Sequence, residues 1–159
     1  MNTEALLRLA DKLEGKGPYE KIGPIRPDRF NMSNWVDSNY LIRKFVKLVR
    51  GGFHVVGDDL PCGTAACACG WAGSDTWFQE RGFFTLARNG IAYFEGDNNS
   101  PYVEFTAPRK FFDISETDAK YLFMPNDFRT TPSEVAKHIR GFVDRRRFVE
   151  PQVNTVTGI

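Results

Sequence analysis

The chain has 159 residues, of which 42% are hydrophobic and 26% are charged, and its formal net charge at pH 7 is +1. This composition is ordinary for one globular domain, and the near-neutral charge argues neither for nor against a polyanionic partner. No apolar run approaches the roughly 20 residues that a membrane span needs. Because no secretory signal is recognisable either, we expect a cytoplasmic protein with no membrane partner.

The first predicted element is an amphipathic helix over residues 3–14, where leucine and alanine recur at helical spacing. Thr3 can cap its start and Gly15 can end it. Residues 15–29 then contain three glycines and three prolines, and proline disfavours helix at its own position and at the one before it. We predict a proline-rich, extended connector there, lying over the surface.

Residues 38–50 are predicted to form a second amphipathic helix that Gly51 and Gly52 terminate. The cationic side chains of this segment fall on one stripe of the helix: Arg43, Lys44, Lys47 and Arg50. Such a stripe can follow the phosphates of a nucleic acid, and it is also typical of a solvated helix face. Arg140 and the cluster 145–147 could extend it.

A short strand over residues 53–56 is followed by the segment 61–72, which holds all three cysteines and a run of small residues. Thr64 stands where a helix cap belongs, after a proline and a glycine. We predict a buried central helix over about residues 64–80. Its alanine and glycine face would allow another backbone to approach closely, which would offset the cost of about 1 kcal/mol for Gly70 in a helix interior.

The cysteines suggest three kinds of chemistry. In a helix Cys67 and Cys69 would point about 200° apart, and the chain has no CxxC pair, so we expect no metal site. An odd number of cysteines disfavours a fully paired disulfide set. Cys62 before a helix N-terminus, with His54 as base and Asp58 as orienting group, is the candidate set for a thiol nucleophile. The plainer interpretation is that the cysteines are small buried residues.

The C-terminal half begins with a predicted hairpin, residues 83–87 and 91–95, because Asn89 and Gly90 supply the backbone of a tight turn. Residues 102–105 are predicted to form a third strand, and residues 107–113 and 115–123 two short helices. The sequence Thr-Pro-Ser-Glu at 131–134 is a strong helix start signal. The last residues, 148–159, lack periodicity and are predicted to form a loose tail.

Three sequence patterns resemble a group of small bacterial and phage proteins for which no activity is assigned. The patterns are Phe-Asn-Met-Ser-Asn-Trp at 30–35, Cys-Gly-Thr-Ala-Ala-Cys at 62–67 with Gly-Trp-Ala at 70–72, and Phe-Asp-Ile-Ser at 112–115 with Tyr-Leu-Phe-Met-Pro at 121–125. The likeness covers about residues 28–143. It implies a bacterial or phage origin in the cytosol and carries no activity with it.

The patterns together predict one α+β domain over residues 1–147, with several helices around a small three-stranded antiparallel sheet. We favour a non-enzymatic accessory factor that binds another protein and needs no cofactor. The alternatives are a nucleic-acid-associated protein that uses the basic stripe, and a cysteine-dependent hydrolase that uses Cys62 and His54. We assign no catalytic residue at this point.

Overall fold

The computed structural model describes residues 1–33, 35, 46–49, 52–57, 66–87, 89–96, 101–124 and 131–149. The helices in these ranges are α1 (Thr3–Glu14), α2 (Ala68–Gly73), α3 (Thr76–Gln79), α4 (Thr106–Phe111), α5 (Glu116–Phe123) and α6 (Pro132–Val149). The strands are β1 (Val46–Leu48), β2 (His54–Val56), β3 (Phe83–Thr85), β4 (Ala92–Phe94) and β5 (Tyr102–Val103). The predicted α+β class is therefore confirmed.

The predicted hairpin and third strand form an antiparallel sheet in the order β3–β4–β5. Phe84 lies opposite Tyr93, and Phe94 lies opposite Tyr102. A second antiparallel pair, β1–β2, approaches this sheet where Val55 forms an isolated bridge. The core between sheet and helices is strongly aromatic, as the composition predicts, and Phe78, Phe83 and Phe112 are completely buried in it.

The predicted caps of the helices are confirmed in part: the N-cap of α2 is Cys67, and the predicted cap Thr64 lies outside the described residues. Ser115 accepts a hydrogen bond from the Asp118 N–H at 3.0 Å and opens α5. Thr131 and Glu134 bond reciprocally to each other's backbone N–H groups before α6, the arrangement of a capping box. At α1 the cap is Asn2 rather than the predicted Thr3, and its side chain accepts from the Ala5 N–H at 3.2 Å.

The predicted helix over residues 38–50 is wrong where the structure describes that segment, because residues 46–48 form strand β1. Of the two glycines taken as a helix terminator, Gly51 lies outside the described residues and Gly52 belongs to a hairpin turn. Gly52 has φ +77° and donates its N–H to the Val49 carbonyl at 3.1 Å, while the Val49 N–H bonds to the Phe53 carbonyl at 3.0 Å. Val-Lys-Leu-Val at 46–49 satisfies the strand period as well as the helix period, and pairing with β2 decides between them.

The predicted central helix over about residues 64–80 is buried, as expected, but it is divided into two. Ala66 lies before the first helix and forms a parallel bridge with Phe30. The helix is interrupted at Asp75, which is the N-cap of α3. Its side chain accepts a hydrogen bond from the Trp77 N–H at 2.9 Å. The predicted close approach is found at Gly70, where a Cβ atom would lie 1.7 Å from the Trp35 carbonyl oxygen.

Two further expectations concern the end of the chain and the membrane. Helix α6 continues to Val149, two residues into the predicted tail, and residues 150–159 lie outside the described residues. No helix within the described ranges combines the length and the apolar character needed to cross a bilayer.

Candidate functional site

Of the residues proposed for thiol chemistry, only His54 lies in the described part of the chain. Cys62 and Asp58 lie outside the described residues. His54 is exposed on β2 opposite Leu48, and its carbonyl accepts from the Ala87 N–H at 3.0 Å. The hydrolase hypothesis therefore stays a prediction about residues of which only His54 is described.

Of the basic stripe, only Lys47 is described, since Arg43, Lys44 and Arg50 lie outside the described residues. Lys47 is exposed on β1 rather than on a helix, so the helical stripe does not form as predicted at that position. Arg140 does not extend a basic surface either, because its guanidinium is paired 2.6 Å from an Asp11 carboxylate oxygen and 3.0 Å from one of Glu14. It joins α6 to α1.

Cys67 and Cys69 are buried, as the plainer interpretation predicts. Because Cys67 is the N-cap residue of α2 and not part of its helical body, the two side chains do not diverge as two helical positions would. Burial raises the pKa of the Cys69 thiol, and Cys67 beside it raises that pKa further. Burial also acts upward on Cys67, but hydrogen bonds from Cys69 and from the backbone of Gly70 outweigh it, so the pKa of Cys67 is lowered.

In the part of the chain that the structure describes, no group of three or more histidine, cysteine or acidic side chains is arranged to hold a metal ion. Cys67 lines a small cavity of about 140 Å³ together with Trp35 and Phe105.

The most connected buried polar group is the carboxylate of Asp75, which is 7% exposed. One of its oxygens accepts from the Lys12 ammonium at 3.0 Å and from the Tyr19 hydroxyl at 2.8 Å. The other oxygen caps α3 and lies 3.7 Å from the Arg8 guanidinium. This network links α1 and the connector that follows it to Asp75, which lies 63 residues after Lys12 and 56 residues after Tyr19.

The charges around Asp75 fix its ionisation. Burial disfavours the charged carboxylate, but the attraction of Lys12 and the hydrogen bonds from Lys12 and Tyr19 outweigh burial, so the pKa of Asp75 lies below its ordinary value. Around Asp75, arginine and lysine side chains also lie close to aromatic rings. Lys12 lies 5.2 Å from the Tyr19 ring centre, and the Arg29 guanidinium lies 4.8 Å from that of Trp71, distances typical of cation–π contacts.

The proline-rich connector is held on the core by backbone as well as by these side chains. The Ile25 N–H donates to the Leu13 carbonyl at 3.1 Å, and the Trp71 indole N–H donates to the Arg29 carbonyl at 3.1 Å. Gly15 permits the close contact at its start, since a Cβ atom there would lie 2.1 Å from the Gly23 carbonyl carbon. The connector is therefore a docked segment and not a loose arm.

Between the docked connector and helices α1 and α2 lies a pocket of about 290 Å³, which we call the connector pocket. Its described lining combines basic, aromatic and aliphatic residues and includes no carboxylate: Lys12, Tyr19, Ile22, Gly23, Pro24, Ile25, Arg26, Arg29 and Trp71. Lys12 is paired with Asp75, and Arg26 is paired with Asp28.

The lining of the connector pocket therefore places basic side chains beside apolar ones. Lys12, Tyr19 and Arg29 were not predicted as site residues, although one signal was present. Lys12 falls on the same helical face as Leu9 and Leu13, and a lysine on an apolar face indicates a buried charge with a partner. Comparison of the chain with protein family models, with curated proteins and with solved structures found no match, so the site is interpreted from its own geometry.

Proposed function

We propose that this chain is a non-enzymatic accessory factor that binds an acidic segment of another protein in the connector pocket. The observation that carries the proposal is the lining of the pocket, which brings three basic residues together with exposed and buried apolar side chains. We include in the proposal the cytoplasmic setting and the bacterial or phage origin that the sequence resemblance implies.

The charge of the pocket favours a carboxylate. Arg26 is exposed at its rim, and Arg29 lies over Trp71 in its wall. Guanidinium groups recognise carboxylates through paired hydrogen bonds. A glutamate or aspartate side chain of a partner therefore meets hydrogen-bond donors in this pocket.

The apolar part of the lining favours a peptide over a nucleic acid. Tyr19 and Trp71 are only 7% and 4% exposed, so their ring faces are covered and offer little surface on which a base could stack. Ile22, by contrast, is 73% exposed at the rim. An exposed isoleucine beside basic groups suits an acidic peptide that also carries a leucine or a phenylalanine.

The test is the binding of a short labelled peptide of alternating aspartate and leucine, measured by fluorescence anisotropy at physiological ionic strength. We expect it to bind at least about tenfold more tightly than the same peptide with asparagine in place of aspartate, a difference of about 1.4 kcal/mol. Arg26→Glu should weaken binding because it reverses a rim charge, and Ile22→Asp should weaken it because it removes the apolar contact.

The matched control is Arg147→Glu, which makes the same charge change at an exposed position of α6 that does not line the pocket. It should leave the affinity within about twofold of the wild type, since a distant surface charge is largely screened. Equal binding of the two peptides, or equal weakening by Arg26→Glu and Arg147→Glu, would contradict the proposal. Tighter binding of a single-stranded oligonucleotide of matched charge would support the nucleic-acid alternative instead.

A further inference from the structure

A second pocket, of about 420 Å³, lies between strand β1, helix α3 and the end of the β3–β4 pair, and we call it the hairpin pocket. It shares no described lining residue with the connector pocket. Its described lining residues are Lys47, Val49, Thr76, Gln79, Glu80, Gly82, Phe84 and Glu95. Two carboxylates and one ammonium group give this described lining a net negative charge, which is the opposite of the connector pocket.

The wall of the hairpin pocket contains a buried amide with an unused acceptor. Gln79 is 6% exposed, and its amide nitrogen donates to the Val56 carbonyl at 2.7 Å and to the Gly73 carbonyl at 2.9 Å. These two bonds use both amide hydrogens and fix which end of the amide is the oxygen. Within the described structure the Gln79 side-chain oxygen has no hydrogen-bond partner.

A buried acceptor without a donor is rare in folded proteins and indicates a missing partner. The same segment satisfies another buried polar group internally. The Asp75 carboxylate, one helical turn earlier, accepts hydrogen bonds from Lys12, Tyr19 and the Trp77 N–H. The oxygen of Gln79 is therefore a buried acceptor in a residue that lines this pocket, and the described residues supply no donor to it.

The two carboxylates that line the pocket favour a hydrogen-bond donor with a positive charge. Glu80 and Glu95 form no ion pair within the described part of the chain. Glu95 is held over Gly82, whose carbonyl accepts from the Glu95 N–H at 3.0 Å, and a Cβ atom on Gly82 would lie 3.5 Å from a Glu95 carboxylate oxygen. Glu80 directly follows α3 at the other side of the pocket.

We propose that the hairpin pocket binds a small organic cation through a primary ammonium group. An ammonium group has three donors in different directions, which matches one amide oxygen and two carboxylates. Phe84 and Val49 provide an aromatic and an aliphatic wall for the carbon part of the ligand, and a volume of this size lies in the range of small-molecule sites, about 300–1,000 Å³.

The experiment uses benzylammonium as the probe and benzyl alcohol as its neutral counterpart, with binding to the full chain measured by isothermal titration calorimetry. We expect saturable binding of benzylammonium and at least about tenfold weaker binding of benzyl alcohol. The double variant Glu80→Gln with Glu95→Gln should weaken benzylammonium binding by at least about tenfold, because it removes both charges and preserves the shape of the side chains.

The control is the double variant Glu4→Gln with Glu116→Gln, which removes two exposed carboxylates from positions that do not line the pocket. It should bind benzylammonium as the wild type does. Gln79→Met should also weaken binding if it folds, and if it does not fold, the carboxylate variants decide the matter. Absence of saturable binding, equal binding of the alcohol, or equal loss in both double variants would overturn the proposal.

Discussion

Asp75 and Gln79 lie one helical turn apart in the same segment, and both are more than nine-tenths buried. The carboxylate of Asp75 is met by an ammonium, a hydroxyl and a backbone N–H. The amide of Gln79 has its nitrogen satisfied, but its oxygen has no partner among the described residues. A buried acceptor without a donor lowers the stability of the fold by about 1–3 kcal/mol. We therefore infer that the two side chains have different roles.

We infer from this difference that the Asp75 carboxylate stabilises the fold, whereas the Gln79 side-chain oxygen belongs to a ligand site. The Asp75 network joins the connector to the helices, and its members Lys12 and Tyr19 line the connector pocket whereas Asp75 does not. The Gln79 oxygen belongs to a pocket whose other polar groups include two carboxylates without an ion pair in the described structure. The chain therefore pairs a stabilising polar cluster with two pockets of opposite charge.

The largest expected effect comes from removing the saturated carboxylate. Asp75→Ala removes the carboxylate that pairs with the buried Lys12 and removes the cap of α3, so we expect a loss of about 3–5 kcal/mol in the free energy of unfolding. Chemical denaturation measures it. Glu116→Ala is the control, because Glu116 forms an exposed pair with Lys120 and such pairs contribute about 0–1 kcal/mol. Similar losses in both variants would mean that Asp75 is no more structural than a surface carboxylate.

A smaller effect is expected from Tyr19→Phe, which removes one donor from Asp75 and keeps the ring and its contact with Lys12. A hydrogen bond to a charged acceptor contributes about 1.5–3 kcal/mol, and Lys12 remains to compensate in part, so we expect a loss of about 1–2 kcal/mol in denaturation midpoint experiments. An unchanged free energy of unfolding would show that the hydroxyl is not needed to hold the connector.

The smallest effect concerns the acid side of the pH profile. The pKa of Asp75 in the folded state lies below its unfolded value of about 3.9, so its contribution to stability is complete above that unfolded value. It is lost as the pH falls through the folded pKa. Below about pH 4, stability should therefore fall less steeply in Asp75→Asn than in the wild type. Equal slopes would contradict the assignment.

The local elements of this fold were accessible from the sequence because their signals lie within a few residues. Asn89 and Gly90 predicted the hairpin, and Thr131 with Glu134 predicted the start of α6. Each of these signals fixes backbone geometry through a turn or a cap that needs no distant partner. The strand at residues 46–48 could not be predicted in the same way, because its pairing with β2 is a tertiary interaction that overrides helical periodicity.

The polar network around Asp75 could not be predicted from the sequence for a related reason. Lys12 and Asp75 are 63 residues apart, and Tyr19 and Asp75 are 56 residues apart. A local sequence pattern does not predict contacts between residues at such separations. The break before Asp75 had a local signal in Ser-Asp-Thr at 74–76, because serine and aspartate favour caps over helix interiors. The unmet oxygen of Gln79 could not be predicted, since it follows from where Val56 and Gly73 place their carbonyl groups.

The most direct test of the account is a titration of the isotopically labelled chain, in which the side-chain N–H signals of Trp71 and Gln79 report on the two pockets separately. The acidic peptide should shift the Trp71 indole signal and leave the Gln79 amide signals in place, and benzylammonium should do the reverse. If neither ligand moves its reporter, or if each ligand moves both equally, the chain does not contain two pockets selective for opposite charges.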